Sequence, residues 1–204
     1  MIAIVNYGLG NVQAFANIYK RLNIPALVAS TPDEVSEAEK IILPGVGAFD
    51  WSMTRLNESG MREALEEAVV GKGKSVLGVC VGMQMMAKRS DEGVLDGLGW
   101  IDAEVRRFDE TSFTQTTHLP HMGWNTICPD NGNPMLANFS NGARFYFLHS
   151  YYFQCKTETD TIAVTEYGIR FSSAVNCGNI YGVQFHPEKS HQWGVQLLKN
   201  FADL

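Results

Sequence analysis

The first half of the chain alternates short apolar segments with segments of helical apolar spacing, and this alternation constrains the fold more than any other feature. Strands are predicted at residues 2–5, 26–29, 41–43 and 75–79. Helices are predicted at residues 11–22, 31–38, 61–70 and 82–88. Strands that alternate with helices pair in parallel. The sequence therefore predicts an α/β fold, with an open, mainly parallel sheet and helices on both of its faces.

The second half is richer in β signals. Apolar and β-branched segments at residues 100–108, 145–152, 161–167, 171–176 and 180–184 are separated by Gly and Asn turns. This pattern predicts an antiparallel, β-rich C-terminal half, closed by an amphipathic helix at residues 193–201. No internal repeat or long linker interrupts the chain, so residues 1–204 are predicted to form a single domain.

Composition limits the partners and the location. The formal net charge is −6 and Lys and Arg form no long run, which disfavours nucleic-acid binding. No apolar segment is long enough to cross a bilayer, and the apolar start has no preceding cationic region, so neither a membrane anchor nor a signal peptide is predicted. Cys80, Cys128, Cys155 and Cys177 show neither paired spacing nor a CxxC motif. Reduced thiols and a cytoplasmic location are therefore predicted.

A cysteine between two glycines follows the predicted strand at 75–79. Gly78, Cys80 and Gly82 have the spacing of a nucleophile elbow, with cysteine in place of serine. The glycines are predicted to permit a sharp turn, and the positive end of the next helix to favour the thiolate. The amide of Val81 is then placed to donate to a developing oxyanion. A buried structural cysteine is the alternative that this motif alone leaves open.

His186, Pro187 and Glu188 supply the partner that a nucleophilic cysteine needs. Pro187 disfavours helix at His186 and holds the chain extended, so that residues i and i+2 point to the same side. Glu188 is therefore predicted to orient the His186 imidazole and to leave its other nitrogen for the Cys80 thiol. The three residues predict a Cys–His–Glu catalytic triad. A surface turn is the alternative for this tripeptide on its own.

The other histidines do not favour a metal site. The pairs His118/His121 and His186/His191 lack Cys or carboxylate partners at suitable spacing, and Pro187 prevents a helical pair. No metal and no cofactor is predicted.

A second glycine-rich segment follows the predicted strand at 41–43. Gly45, Val46 and Gly47 lie at the same edge of the predicted sheet as Cys80, and glycine lets backbone amides approach a substrate closely. Gly45 and Val46 are predicted to supply a second backbone donor to the oxyanion. A plain strand-ending turn is the alternative.

Two segments together resemble the class I, or triad, glutamine amidotransferases: residues 78–84, around Cys80, and residues 184–190, around His186 and Glu188. Residues 6–11, 120–125 and 147–151 are further similar to the branch of this family that forms the glutaminase subunits of imidazole glycerol phosphate synthase. The similarity covers essentially the whole chain.

The resemblance implies a reaction and a partner. Glutamine would be hydrolysed to glutamate and ammonia through a γ-glutamyl thioester on Cys80, with His186 as base and then acid. Ammonia would pass to a cyclase subunit with a TIM-barrel fold, which makes imidazole glycerol phosphate in histidine biosynthesis. No cofactor is implied.

The resemblance also assigns roles by position. Gln84 and Glu92 match residues that hold the amino-acid end of glutamine, and Ser150 and Tyr151 match a segment whose backbone faces its carboxylate. The positions that match the partner side or the ammonia exit are Tyr7, Asn11, Trp124 and Lys189. Core packing is the alternative for Trp124, and a solvated side chain is the alternative for Lys189.

Some segments depart from this branch. Val81 stands where the family more often has Leu, and residues 145–148 and 179–183 look closer to a paralogous branch. In that branch ammonia serves an ATP-dependent sugar amidotransferase of surface-polysaccharide biosynthesis, which is the alternative acceptor. A non-catalytic scaffold homologue is a further alternative, and the intact Cys–His–Glu set argues against it.

Overall fold

The computed structural model describes residues 1–113, 118–129, 132–139 and 142–204. The strands within these ranges are β1 (Ile2–Val5), β2 (Ala26–Ala29), β3 (Lys40–Gly45), β4 (Ser75–Cys80), β5 (Arg89–Ser90), β6 (Ala103–Arg107), β7 (His121–Thr126), β8 (Cys128–Pro129), β9 (Arg144–His149), β10 (Tyr151–Cys155), β11 (Thr161–Tyr167), β12 (Ile169–Cys177) and β13 (Ile180–Val183). The α-helices are α1 (Val12–Arg21), α2 (Pro32–Glu37), α3 (Phe49–Glu58), α4 (Arg62–Glu66), α5 (Val81–Gln84) and α6 (His191–Asp203). Among these described residues, no helix combines the length and the apolar character needed to cross a membrane.

The strands form one large sheet and one small sheet. The large sheet has the order β2-β1-β3-β4-β13-β12-β10-β6-β5, with β11 and β8 attached beside β12. Strands β2, β1, β3, β4 and β13 pair in parallel, whereas β12, β10 and β6 continue the sheet in antiparallel pairs. The predicted sheet, parallel in the first half of the chain and antiparallel in the second, is confirmed.

The strand order also places the helices. The chain moves from β1 to β2 in one direction and then returns across β1 to reach β3. Right-handed crossovers in opposite directions place their helices on opposite faces of the sheet. Accordingly α1 packs with α6 and α2 packs with α4, while both α1 and α2 contact β1. The carboxyl ends of β3 and β4 lie side by side, with Gly45 opposite Cys80. This edge of a parallel sheet is where functional groups converge.

The helix predicted at residues 82–88 is wrong beyond its first turn. Helix α5 ends at Gln84, where the amides of Met86 and Ala87 donate only three residues back, and the carbonyl groups of residues 85–88 accept hydrogen bonds from a distant segment. The amide of Leu98 donates to Met85 at 2.7 Å and that of Gly97 to Lys88 at 2.8 Å. The same contacts shorten the strand predicted at 100–108, which begins only at Ala103 as β6.

The β segment predicted at residues 145–152 is two strands. The chain bends at Ser150, so that β9 pairs with β7 in the small sheet while β10 pairs with β6 and β12 in the large one. The segment that joins the two sheets is therefore the one predicted to face the glutamine carboxylate.

Two helical regions also differ from the prediction. The helix predicted at 61–70 is α4, which passes after Glu66 into one π-helical turn at Glu67–Gly71. Helix α3 was not predicted, although its buried residues Phe49, Ser52, Met53 and Leu56 have helical spacing. The polar Ser52 interrupts the apolar spacing, so the sequence pattern alone does not indicate this helix.

Candidate active site

The predicted nucleophile lies at the end of a central strand. Cys80 is the last residue of β4, is buried, and directly precedes α5. Its backbone has φ +55° and ψ −114°, a conformation that residues other than glycine rarely adopt. Unfavourable backbone conformations of this kind concentrate at functional sites, where surrounding packing holds them in place.

The glycines around Cys80 permit close packing rather than the turn itself. The positive φ belongs to Cys80, whereas a Cβ at Gly82 would lie 1.9 Å from the carbonyl oxygen of Leu43. A Cβ at Gly45 would lie 2.3 Å from the amide nitrogen of Gly82. The end of β3 thus packs backbone against backbone with the nucleophile turn and supports it. The predicted role of Gly78 and Gly82 in turning the chain is corrected accordingly.

Cys80 is followed by a short helix and lies beside a buried imidazole. Helix α5 has only four residues, so the expected helix dipole behind Cys80 is short. The imidazole of His186 lies at the same cavity as Cys80, whose interaction raises the pKa of His186, and its Nδ1 lies 2.9 Å from Oε1 of Glu188. The side chains of His186 and Glu188 are both buried. The structure therefore places the three residues of the predicted triad close together.

The pairing of His186 with Glu188 arises from a turn. His186 itself is extended, with φ −101° and ψ 94°, as Pro187 requires. However, Pro187–Lys189 forms a 3₁₀ turn, so the carboxylate reaches the ring by folding back rather than along an extended chain. The second carboxylate oxygen, Oε2, is buried without a hydrogen-bond partner among the described residues.

The environment of His186 favours its charged form. Burial lowers the pKa of His186, but the hydrogen bonds and charges of Cys80 and Glu188 outweigh burial and raise it to about 10. A raised pKa means that the imidazolium is present at neutral pH and is lost as the pH rises towards that value. A cationic imidazole beside a cysteine is the arrangement that catalytic Cys–His pairs use.

Two side chains that sequence reasoning did not single out position the Cys80–His186 pair. Oγ of Ser190 donates to the carbonyl of His186 at 2.6 Å and accepts from the amide of Tyr146 at 3.0 Å. Nε2 of Gln184 lies 3.8 Å from the Cys80 sulfur, and its Oε1 accepts from Nε2 of Gln84 at 3.0 Å. Ser190 and Gln184 belong to the motif that carries the family resemblance, which was the available signal.

A cavity of about 330 Å³ opens above the sulfur. This volume is in the range of small-ligand sites. Its lining includes Val46, Gly47, Cys80, Val81, Gln84, Glu92, Leu148, His149, Ser150, Tyr151, His186 and Lys189. The cavity therefore brings together Cys80 and His186 of the triad, the four predicted substrate residues, and two of the three predicted oxyanion positions, Val46 and Val81. Gly45 lies beneath the turn, while Val46 and Gly47 face the cavity.

A model of the class-I glutamine amidotransferase family matches residues 3–204. The chain belongs to this family. It is 56% identical over 204 residues, the full length of both chains, to imidazole glycerol phosphate synthase subunit HisH of Bdellovibrio bacteriovorus. It is 48% identical over 204 residues, again the full length of both, to the HisH subunit of Leptospira interrogans.

A solved structure described as a glutamine amidotransferase has a TM-score of 0.73 and 18% sequence identity, and the match covers 100% of this chain and 99% of that one. At this identity the likeness shows the fold. The resemblance to class I glutamine amidotransferases, and within them to imidazole glycerol phosphate synthase subunits, is confirmed.

In this amidotransferase the predicted partner positions are not equally accessible. Tyr7 is only 2% exposed, and its hydroxyl donates to the carbonyl of Pro44 at 2.8 Å. Burial raises the pKa of Tyr7 well above its usual range. Its side chain is therefore not available on the described surface, and the interface prediction for Tyr7 is corrected: it anchors the root of the Gly45–Val46 loop.

The other predicted partner positions are at least partly exposed. Asn11 is exposed and caps α1, with its Oδ1 accepting from the amide of Ala14. Trp124 is 39% exposed and stacks on His191, with ring centroids 5.3 Å apart. Lys189 lines the cavity, with its ammonium 5.7 Å from the Tyr146 ring centroid.

Proposed function

We propose that this chain, acting as a single amidotransferase domain in the cytoplasm, is the glutaminase subunit of an imidazole glycerol phosphate synthase. It would release ammonia from glutamine and pass it to a cyclase subunit with a TIM-barrel fold. The observation that carries the proposal is the buried Cys80–His186–Glu188 triad, which opens into a cavity lined by Gln84 and Glu92. Full-length identity to HisH subunits supports the choice of pathway. The four free cysteines are compatible with a cytoplasmic location.

Acylation begins from the ion pair of Cys80 and His186. The thiolate attacks the γ-carbonyl carbon of glutamine, a C–S bond forms, and the carbonyl oxygen becomes an oxyanion. The amide of Val81 and an amide of the Val46–Gly47 segment are the proposed donors to that oxyanion. The His186 imidazolium then gives its proton to the amide nitrogen, the C–N bond breaks and ammonia leaves. The result is a γ-glutamyl thioester and neutral His186.

Deacylation reverses the role of the imidazole. Neutral His186 takes a proton from a water molecule as that water attacks the thioester carbon. The C–S bond breaks, glutamate leaves, and the thiolate–imidazolium pair is restored. Glu188 stabilises the imidazolium in both steps.

The amino-acid end of glutamine is proposed to bind opposite the nucleophile. Glu92 presents a carboxylate at the cavity wall, where its Oε2 accepts from the amide of Phe49 at 2.9 Å. Burial raises the pKa of Glu92; the Phe49 amide opposes this rise and Asp50 adds to it. The ammonium group of glutamine would therefore bind a Glu92 carboxylate that is only partly solvated. The bend at Ser150 and Tyr151 is proposed to receive the substrate carboxylate.

Replacing Glu92 by glutamine tests this assignment. We expect Glu92→Gln to raise the KM for glutamine about tenfold to a hundredfold, because a hydrogen bond to a charged group is worth about 1.5–3 kcal/mol. Because the ammonium favours ionised Glu92, glutamine affinity in the parent should fall as the pH drops through the raised pKa of Glu92. That pH dependence should be absent from the variant.

The control uses a substrate without the amino group. With glutaramate, which lacks it, parent and Glu92→Gln should have the same kcat/KM. Asp96→Asn removes an exposed carboxylate four residues away and should change neither constant. An equal loss of kcat/KM with both substrates would show that Glu92 supports the fold of the site instead of binding the ammonium.

An exposed apolar surface beside the cavity suits a protein partner. Met122 and Leu148 lie opposite each other on β7 and β9 and are 64% and 38% exposed. Trp124 continues the same face of β7, and Leu148 also lines the cavity. Large apolar side chains grouped in this way mark interaction surfaces on soluble proteins. We propose that the cyclase covers this face.

Partner and acceptor are expected to activate the enzyme. The motivation is the Val46–Gly47 segment, where Gly47 has a positive φ and open space around it. If the partner favours the loop state that completes the oxyanion site, glutamate release should rise by a factor of about a hundred or more, since one oxyanion donor is worth about 3 kcal/mol.

The measurement is glutamate release by the chain alone, with the cyclase, and with the cyclase and its phosphoribulosyl-formimino aminoimidazole carboxamide nucleotide acceptor. A lone chain that already reaches the stimulated rate would contradict the activation. Stimulation by an ATP-dependent sugar amidotransferase alone would retain the glutaminase and reject the histidine pathway.

A further inference from the structure

Two buried histidines connect the glutamine cavity to strand β7 through hydrogen bonds. Nδ1 of His149 lies 2.7 Å from the carbonyl oxygen of Tyr151, and its Nε2 lies 3.0 Å from Nδ1 of His121. Nε2 of His121 lies 3.2 Å from Nδ2 of Asn125, which also donates to the carbonyl of Glu166 at 2.9 Å. The proposed reaction gives neither histidine a role.

Only one arrangement of protons satisfies all the hydrogen bonds that link Tyr151, His149, His121 and Asn125. A carbonyl can only accept, so His149 carries its proton on Nδ1 and its Nε2 is an acceptor. His121 must then donate from Nδ1 and accept at Nε2 from the Asn125 amide. Protonating either ring in addition would place two hydrogens between the two rings or between His121 and Asn125.

Burial keeps both rings neutral and therefore preserves this arrangement. Burial lowers the pKa of His121 to about 4. It lowers the pKa of His149 to about 3, with nearby His121 and His186 acting in the same direction and the Tyr151 carbonyl opposing them. Both histidines are neutral at physiological pH as a result.

The rings are also held by aromatic packing. His121 lies between Phe147 and Tyr167, with ring centroids 4.6 Å and 4.0 Å away and planes nearly parallel. His149 contacts Phe108 and Phe171. The donor and acceptor directions are therefore fixed by packing as well as by hydrogen bonds.

The row of hydrogen bonds ends at the Tyr151 carbonyl, which lies at the substrate cavity. The same carbonyl that accepts from His149 also accepts from Nε2 of Gln84 at 3.3 Å. Both amide protons of Gln84 are used, on Tyr151 and Gln184, which directs its Oε1 away from these partners. The position of one carbonyl thus sets the orientation of a cavity side chain.

We propose that the His149–His121–Asn125 chain is a positioning network that holds the Tyr151 carbonyl, and through it Gln84, in the geometry that binds glutamine. The proposal rests on the proposed function, since it concerns the same cavity. His149 and His121 act through Tyr151 and Gln84, and neither takes part in the bond changes at Cys80.

A matched pair of substitutions isolates the donor at position 149. Asn and Leu have similar size and leave similar space, but only the Asn amide can replace the Nδ1 donor to Tyr151. We expect His149→Leu to raise the KM for glutamine about tenfold or more, consistent with an unpaired buried carbonyl, and His149→Asn to remain within about threefold. The kcat should change less than the KM in both variants.

The same comparison applies to the next histidine in the row of hydrogen bonds: His121→Leu should raise the KM for glutamine more than His121→Asn. The reactivity of Cys80 towards iodoacetamide, which needs no glutamine recognition, should stay within about twofold of the parent in every variant that retains the geometry of the triad. Equal KM changes for Leu and Asn at position 149 would overturn the proposal.

A measurement on the unmodified protein covers the case in which a variant does not fold. In ¹⁵N-histidine-labelled protein at neutral pH, His149 and His121 should each show a protonated Nδ1 and an unprotonated Nε2. The signals can be assigned in the parent from contacts of His121 with Phe147 and Tyr167 and of His149 with Phe108 and Phe171. A protonated Nε2 on His149 would also overturn the proposal. Failure of the parent to hydrolyse glutamine with its partner would instead reject the proposed function, and the tautomer measurement does not depend on it.

Discussion

Cys80→Ala is expected to reduce glutamate release by about four orders of magnitude or more, because loss of a catalytic nucleophile removes the concerted action of the whole triad. The fold should persist, since the change deletes one sulfur atom and keeps the backbone. Far-UV circular dichroism and binding to the cyclase should therefore match the parent.

Labelling with an electrophilic glutamine analogue provides the control for this prediction. One equivalent should attach, and peptide mapping should place it on Cys80. Cys128 is exposed and is the most accessible competitor, so Cys128→Ala should label and turn over like the parent. Attachment at Cys128, Cys155 or Cys177 would contradict the assignment of the nucleophile.

Glu188→Gln is expected to lower kcat by about two to four orders of magnitude while the protein remains folded. The carboxylate raises the pKa of His186, so its removal should lower that pKa. The imidazolium is lost as the pH rises through this pKa. The alkaline limb of the kcat/KM profile should therefore move to lower pH in the variant.

An exposed glutamate serves as the matched control for Glu188. Glu63 lies on the surface of α4, and Glu63→Gln should leave both the rate and the pH profile unchanged. A normal rate for Glu188→Gln at saturating partner would show that the carboxylate only fills space beside His186.

Local patterns in the sequence predicted several elements of the fold well. β1, β2 and β11 have the predicted bounds, and α1 differs by one residue at each end. These elements have apolar periodicity that continues to their ends. The early end of α5 could not be predicted in this way, because the residues that follow it are held by distant partners. The amide of Lys88 donates to Ala103, and the carbonyls of residues 85–88 accept from residues 97–101.

The candidate site was likewise predictable only where its residues lie in local motifs. Cys80, His186 and Glu188 were predicted because each lies in a short motif with a local geometric meaning. The pairing of His121 with His149 joins residues 28 positions apart on two different strands, and no local pattern announces it. The burial of Tyr7 was missed for a related reason: the Pro44 carbonyl that it contacts belongs to another strand.

The backbone conformation of Cys80 has a consequence for how this sequence can evolve. A positive φ at a residue other than glycine costs on the order of 1–3 kcal/mol, and glycine would adopt it with little strain. The stability of the folded state alone would therefore favour glycine at position 80, and only the catalytic reaction favours cysteine. A homologue that had become a pure scaffold would gain stability by losing the cysteine. The presence of cysteine at the most strained point of the turn is thus the mark of selection for turnover rather than for binding.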